Sequence, residues 1–202
     1  GLTMTFTLRD DVKFHDGSDL TSADVLFSLE RAQAGPNWGY PFGGMTFEAP
    51  DDYTFVINLE APNSDLPSFL STWYAPIFPA DFGGMTEEDF FQAPISAGQF
   101  KAATWEPGER IVLERFDDYY GTKAYLDEVI WQVFTDPNAA VIAFENGEVD
   151  ALLQPPIDLI DTLPGQLVDG RVTSFVYMTL AQHGQNLGDV HARKALLYAI
   201  DK

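Results

Sequence analysis

Thr3-Met4-Thr5-Phe6-Thr7-Leu8-Arg9 alternates polar and apolar residues along its whole length, predicting a strand with Met4, Phe6 and Leu8 on one buried face. Val12-Lys13-Phe14 continues the alternation into an Asp16-Gly17 turn. Tyr53 to Leu59 repeats the pattern, with Tyr53, Phe55, Ile57 and Leu59 on one side. Further on, a strand ending at Glu106, a Pro107-Gly108 turn and a second strand with Ile111 and Leu113 opposite Val112 and Glu114 spell a hairpin. Val129 to Phe134 is apolar in both alternating sets, so the pattern predicts a strand covered on both faces at the sheet centre. Shorter strands are expected at Glu148 to Leu152 and Val172 to Leu180.

Between these runs the period changes from two to 3.6. Thr21, with Asp24 three residues on, predicts a capped helix whose stripe Val25, Leu29 and Ala32, with Leu26 beside it, lies on the sheet. Asn63-Ser64-Asp65 offers caps for a short segment through Leu70, and a small helix is expected over Thr86 to Phe91. Asp136-Pro137-Asn138 starts a helix through Phe144, with Ala139, Ile142 and Ala143 as its apolar residues and Gly147 as its stop. Pro155-Pro156 introduces a short helix from Ile157 to Leu163, and Asp189 to Lys202 reads as a helix with an apolar line of Ala192, Leu196 and Ala199 and with Arg193, Lys194 and Lys202 exposed. Gly35 to Gly44 holds two prolines and four glycines, which excludes regular structure, yet it keeps Trp38, Tyr40 and Phe42. Such a loop either offers flat aromatic surface to a ligand or uses its rings to pack itself down.

Charge narrows the partners. Among 202 residues, 11 Lys and Arg face 31 Asp and Glu, a formal net charge of -20, and such a surface repels nucleic-acid phosphates and anionic headgroups. The same acidity suits a solvated surface with no specific partner. Zero cysteines remove disulfides, thiolate metal sites and a cysteine nucleophile together. No apolar run approaches the roughly 20 residues of a membrane span, and no signal-peptide pattern is present. The chain opens on Gly1-Leu2-Thr3 and closes while a helical pattern is still running, so the expectation is an internal stretch of a longer protein.

Candidate catalysis finds little to stand on. His15, His183 and His191 lack the spacing and companions of a zinc site, and His15 and His191 are expected on solvated surface. No Gly-x-Ser-x-Gly elbow, P-loop or dinucleotide fingerprint occurs. The acidic pairs Asp117-Asp118 and Glu87-Glu88 are the remaining candidates for a glycosidase pair or a calcium site, and in polar turns they are expected to face water. The reading is therefore of no enzyme, no cofactor and no metal.

Several motifs, in order, resemble the family 5 extracellular solute-binding proteins of ABC importers. They are Leu8-Arg9-Asp10-Asp11-Val12-Lys13-Phe14-His15-Asp16-Gly17, the helix ending Ser28-Leu29-Glu30-Arg31, the segment Pro94 to Lys101, the Asp118-Tyr119-Tyr120-Gly121 run, Gly147-Glu148-Val149-Asp150, and Asp189-Val190-His191-Ala192-Arg193-Lys194-Ala195-Leu196-Leu197-Tyr198-Ala199-Ile200-Asp201-Lys202. In Ser96-Ala97-Gly98-Gln99-Phe100 only the glycine and the aromatic of the family's Gly-Thr-Gly-Pro-aromatic run survive. The resemblance implies a mixed α/β fold of the type II periplasmic-binding-protein kind, represented by a small second lobe over 1–93, part of the first lobe over 94–175 and a crossover over 176–202 into a C-terminal lobe. It further implies capture of a peptide or related small solute, such as a nickel, haem or oligosaccharide species, and delivery to ABC permease subunits by a monomeric protein. The implied location is extracytoplasmic, in the periplasm or as a cell-surface lipoprotein. By matching position, Tyr177, Met178 and Gln182 are expected on the crossing strand facing a cleft, with Trp38 and Tyr40 opposite, although Tyr177 or Met178 could equally be core. The alternatives from other classes are a secreted carboxylate-dependent hydrolase and a structural fragment that only mediates protein contacts.

Overall fold

Strand β1, Thr3–Thr7, pairs antiparallel with β3, Thr54–Asn58, placing Met4 opposite Ile57 and Phe6 opposite Phe55, as the two-residue period requires. The computed structural model describes residues 1–36, 39–166, 168 and 189–199, and of Tyr40, Leu196 and Leu197 the backbone alone. Helix α1, Ser22–Ala34, separates β1 from β2, Thr46–Asp51, which completes a sheet of order β1-β3-β2. The sequence reading passed over β2. Its Pro50 cannot donate to a ladder, which suits an edge strand with an irregularity between Glu48 and Asp51.

Helix α1 packs across β2 and β3 through the expected stripe. Leu29 is 1% exposed, Val25 is buried, and Phe55, Ile57, Leu59, Phe42 and Leu66 close the same core. Burying a side chain such as Leu29 contributes about 1.5–3 kcal/mol. The Thr21 start is as the sequence implies: the Asp24 carboxylate accepts from the Thr21 N–H at 2.7 Å and the Thr21 hydroxyl at 2.9 Å. Helix α2, Leu66–Leu70, and helix α3, Glu87–Gln92, follow, the latter capped by the Thr86 hydroxyl, which accepts from the Asp89 N–H at 3.1 Å.

The second sheet is a meander of β4, Phe100–Glu106, β5, Arg110–Arg115, and β6, Glu128–Gln132, in that order. The expectation that the third of these strands is the sheet centre is corrected here. Two consecutive antiparallel links make the middle strand β5, and Ile130 on β6 is 53% exposed. A doubly apolar run states what could cover a strand, whereas strand order follows from the connections.

Helix α4, Pro137–Glu145, starts on Asp136, whose carboxylate accepts from the Asn138 N–H at 2.9 Å. Its buried residues are Ala140, Val141 and Ala143, while Ile142 is 56% exposed. The helix ends in a left-handed turn at Gly147, φ 73°, with Gly147 N–H bonded to the Phe144 carbonyl and Glu148 N–H to the Ala143 carbonyl. That paired closure turns the chain away from an extended course, and residues 148–152 form no strand, contrary to expectation.

Residues 1–155 form one compact unit and 156–202 a second. Within the second, Ile157–Thr162 is a 3₁₀ helix and α5 spans Val190–Ala199. Asp189 accepts from the His191 N–H at 2.9 Å, and the exposed residues of α5 include Tyr198 and Ala199, so Ala199 is not part of a buried line. The strand expected at Val172 to Leu180 lies outside the described residues.

Candidate functional site

The C-terminal half of α1 and two neighbouring loops build an aromatic-lined groove. Helix α1 closes at Gly35, after which Gly39 N–H bonds to the Gly35 carbonyl at 3.0 Å and a 3₁₀ turn spans Tyr40–Phe42. That turn is more order than the glycines and prolines of this loop predicted. A Cβ at Gly39 would stand 2.2 Å from the Gln33 carbonyl oxygen, so only glycine allows the chain to pass. The Gln33 side-chain amide donates to the Phe42 carbonyl at 2.6 Å and the Met45 carbonyl at 3.0 Å, and Phe42 itself is 0% exposed. One of the three loop aromatics is therefore a core anchor.

The second loop follows α2. The hydroxyls of Ser71 and Thr72 donate to the carbonyls of Ser68 and Phe69 at 2.8 and 2.7 Å, tightening the chain immediately before Trp73. Trp73 is 65% exposed and lies stacked on Tyr74, ring centroids 4.5 Å apart at 18°. Tyr74 packs edge-on to Phe69 at 6.1 Å and rests against the core. Arg31, Ala32, Gly35, Trp73, Tyr74 and Pro76 line a groove of about 190 Å³.

Arg31 is held from below. Its guanidinium lies 5.2, 5.6 and 5.8 Å from the ring centroids of Phe91, Phe82 and Phe78, and it pairs with Glu87. Phe82 reaches that position through a left-handed run in which Asp81, Phe82 and Gly83 take φ of 48°, 55° and 65°. Two non-glycine residues there store strain that the ring cluster with Phe90 and Phe91 holds in place. The loop is also tied to α1, since Ser28 accepts from the Phe78 N–H at 2.8 Å and Asp24 from the Ala80 N–H at 2.7 Å.

The arrangement offers a flat indole, an apolar slot and one guanidinium already balanced by a carboxylate. It suits contact with a small solute. Among the described residues, no cluster of three or more His, Cys, Asp or Glu could hold a metal ion. A second groove, about 270 Å³ between Gly43-Gly44-Met45 and Leu59 to Asn63, has Glu60 as its charged residue.

Trp38, Tyr177, Met178 and Gln182 lie outside the described residues, and of Tyr40 the backbone alone is placed, in the 3₁₀ turn. Trp73 and Tyr74 were missed. Their signal was present, a pair of aromatics between a run of hydroxyl residues and Pro76, where no periodicity buries both.

Both acidic pairs are exposed, as expected, and within them Asp117 also pairs with Arg115 at 3.0 Å and Glu87 with Arg31. The Arg115 hydrogen bond holds the Asp117 carboxyl below its ordinary range. His15 is half-buried rather than solvated: its ring meets Phe116 edge-on at 5.0 Å, and its Nε2 lies 3.0 Å from the Gly98 carbonyl oxygen.

The family described as bacterial extracellular solute-binding proteins, family 5 Middle, matches residues 1–202. A probable peptide ABC transporter periplasmic-binding protein of Sinorhizobium fredii is 32% identical over 99% of this chain and 42% of its own length. The binding protein AgaA of A. tumefaciens R10, solved with agropinic acid, shares 36% identity over 73% of this chain and 31% of its own, with a TM-score of 0.68. NikZ of Campylobacter jejuni, solved with Ni(L-His), shares 25% identity over 100% of this chain and 42% of its own, with a TM-score of 0.79. The chain thus spans about two fifths of the length of the curated relatives it matches. Among the described residues, no helix is long and apolar enough to cross a membrane.

Proposed function

We propose that this chain, which belongs to the bacterial extracellular solute-binding proteins of family 5, forms part of an extracytoplasmic receptor that captures a peptide or related small solute for an ABC permease. The observation that carries the reading is Trp73, 65% exposed and stacked on Tyr74 beside the groove at the end of α1. An exposed indole at the rim of a groove gives a solute flat apolar surface to lie against.

In this reading residues 1–93 are the small lobe carrying the platform, 94–175 belong to the first lobe, and 176–202 cross toward the C-terminal lobe. Tyr177, Met178 and Gln182, with Trp38 and Tyr40 from the opposite lobe, contact the solute. The protein works as a monomer, holds its solute by closing lobes around it, and carries out no turnover. Sinorhizobium fredii's relative favours peptide as the solute class, with a nickel–histidine chelate and agropinic acid as the neighbouring choices.

Calorimetric titration of the full-length protein with a set of short peptides, a nickel–histidine chelate and agropinic acid tests this. One class should bind without being consumed, and Trp73→Ala should weaken it about tenfold, the scale of one lost aromatic contact. Unchanged affinity in Trp73→Ala would remove the platform from the account. Conversion of any ligand to product would remove the receptor reading itself.

A further inference from the structure

Three contacts join His15 to the segment that leads into β4. Its backbone N–H donates to the Ser96 carbonyl at 2.8 Å, its Nε2 lies 3.0 Å from the Gly98 carbonyl oxygen, and its Nδ1 accepts from the Ser96 N–H at 3.4 Å. The edge-on ring of Phe116 packs against it, and Phe116 N–H is in turn bonded to the Gln99 carbonyl at 2.8 Å. The histidine therefore closes on a set of groups that are bonded to one another. They belong to the side of the chain that forms the β4–β6 sheet, while His15 belongs to the hairpin that follows β1.

The partners dictate the protonation state. A carbonyl oxygen only accepts and a backbone N–H only donates, so Nε2 must carry the proton and Nδ1 must not. A second proton on Nδ1 would face the Ser96 N–H donor to donor, and would place a charge on a half-buried ring against Phe116. The geometry points to a proton-operated joint: neutral His15 clasps the segment carrying the β1–β3 sheet to the β4–β6 sheet, and protonation of the imidazole opens the clasp.

The groups facing the ring fit this. Burial is the largest influence lowering its proton affinity, and Lys101 on β4 adds to it, while the Gly98 bond and the neighbouring Asp16 act the other way. Asp16 is engaged elsewhere, accepting from the Ser18 N–H and hydroxyl at 2.9 and 2.7 Å, and Lys101 is 3.8 Å from Glu114. A separate tie across the same joint, Arg9 over the Tyr120 ring at 5.3 Å, does not titrate near neutrality and stays in place. Acid thus loosens the joint without severing it, and the platform-bearing segment gains freedom relative to the second sheet. The inference stands whether or not the solute reading does.

The test is amide hydrogen exchange at Ser96 in the full-length protein, corrected for intrinsic rates, between about pH 8 and about pH 5. In the wild type, protection at Ser96 should fall toward acid as the imidazole takes up its second proton. His15→Gln supplies a donor and an acceptor that do not titrate, and should hold its protection constant. His15→Phe keeps a ring against Phe116 and should lose protection at both pH values. Constant protection in the wild type, or the same fall in His15→Gln, would overturn the clasp. Should the variants not fold, nitrogen NMR of the wild-type imidazole decides: an Nε2–H tautomer at about pH 8 supports it, and a protonated Nδ1 there defeats it.

Discussion

The Asp24 carboxylate accepts a hydrogen bond from the backbone N–H of Ala80 at 2.7 Å, while its other oxygen takes the N–H and hydroxyl of Thr21. One side chain thus starts α1 and fastens the loop that carries Phe78 and Phe82. It is buried, so each donor it releases would be left without water. Asp24→Ala is expected to cost about 2–4 kcal/mol of folding stability, and Asp24→Asn about half, since the amide keeps one acceptor. Urea unfolding of the two variants checks this, and a loss below about 0.5 kcal/mol would mean the loop is held by other contacts.

Phe42 should behave as core although it sits in a loop rich in glycine and proline. It is fully buried, and its carbonyl is gripped by Gln33. Phe42→Ala should lower stability by about 3–5 kcal/mol through the cavity it leaves. A surface-like loss of under about 0.5 kcal/mol would instead make all three loop aromatics available for contact.

Trp73 should show the opposite profile. Its exposure predicts that Trp73→Ala changes unfolding stability by no more than about 0.5 kcal/mol. Thermal unfolding of wild type and variant measures this, and a large loss would assign the indole to packing rather than to a solute.

The stability contribution of His15 has a defined sign. Its folded-state pKa is depressed, so the unfolded chain binds the proton more readily, and the contribution is whole above the ordinary histidine value of about 6.5 and lost as pH falls through and below it. Asp16 is also depressed, through the Ser18 hydroxyl bond, and its contribution is lost at lower pH, below the ordinary carboxylate value. Stability against pH should therefore fall in two separate steps, and His15→Gln should remove only the upper one. An upper step that survives in the variant would belong to another group.

The particular residues show what a sequence can disclose. Thr21 and Asp24 announce a helix start because a capping box is a local pattern, and Phe55, Ile57 and Leu59 announce a buried face because alternation is local too. The Ala80 partner of Asp24 and the Gly98 partner of His15 are not local, and nothing in the spacing points to them. The centre of the second sheet was misread because the apolar pattern of residues 129–134 was allowed to outrank the order of connections, which puts β5 in the middle. Of the candidate site, the loop of Trp38 and Tyr40 drew notice for its composition, while Trp73, next to no glycine, did not.

Native mass spectrometry of the full-length protein, purified gently from its own cells, tests the central claim most directly. The account predicts a small solute of defined mass bound to the wild type and depleted in Trp73→Ala, with an unchanged mass of the released solute. Wild-type protein free of any solute, together with cleavage of an offered peptide, would contradict it.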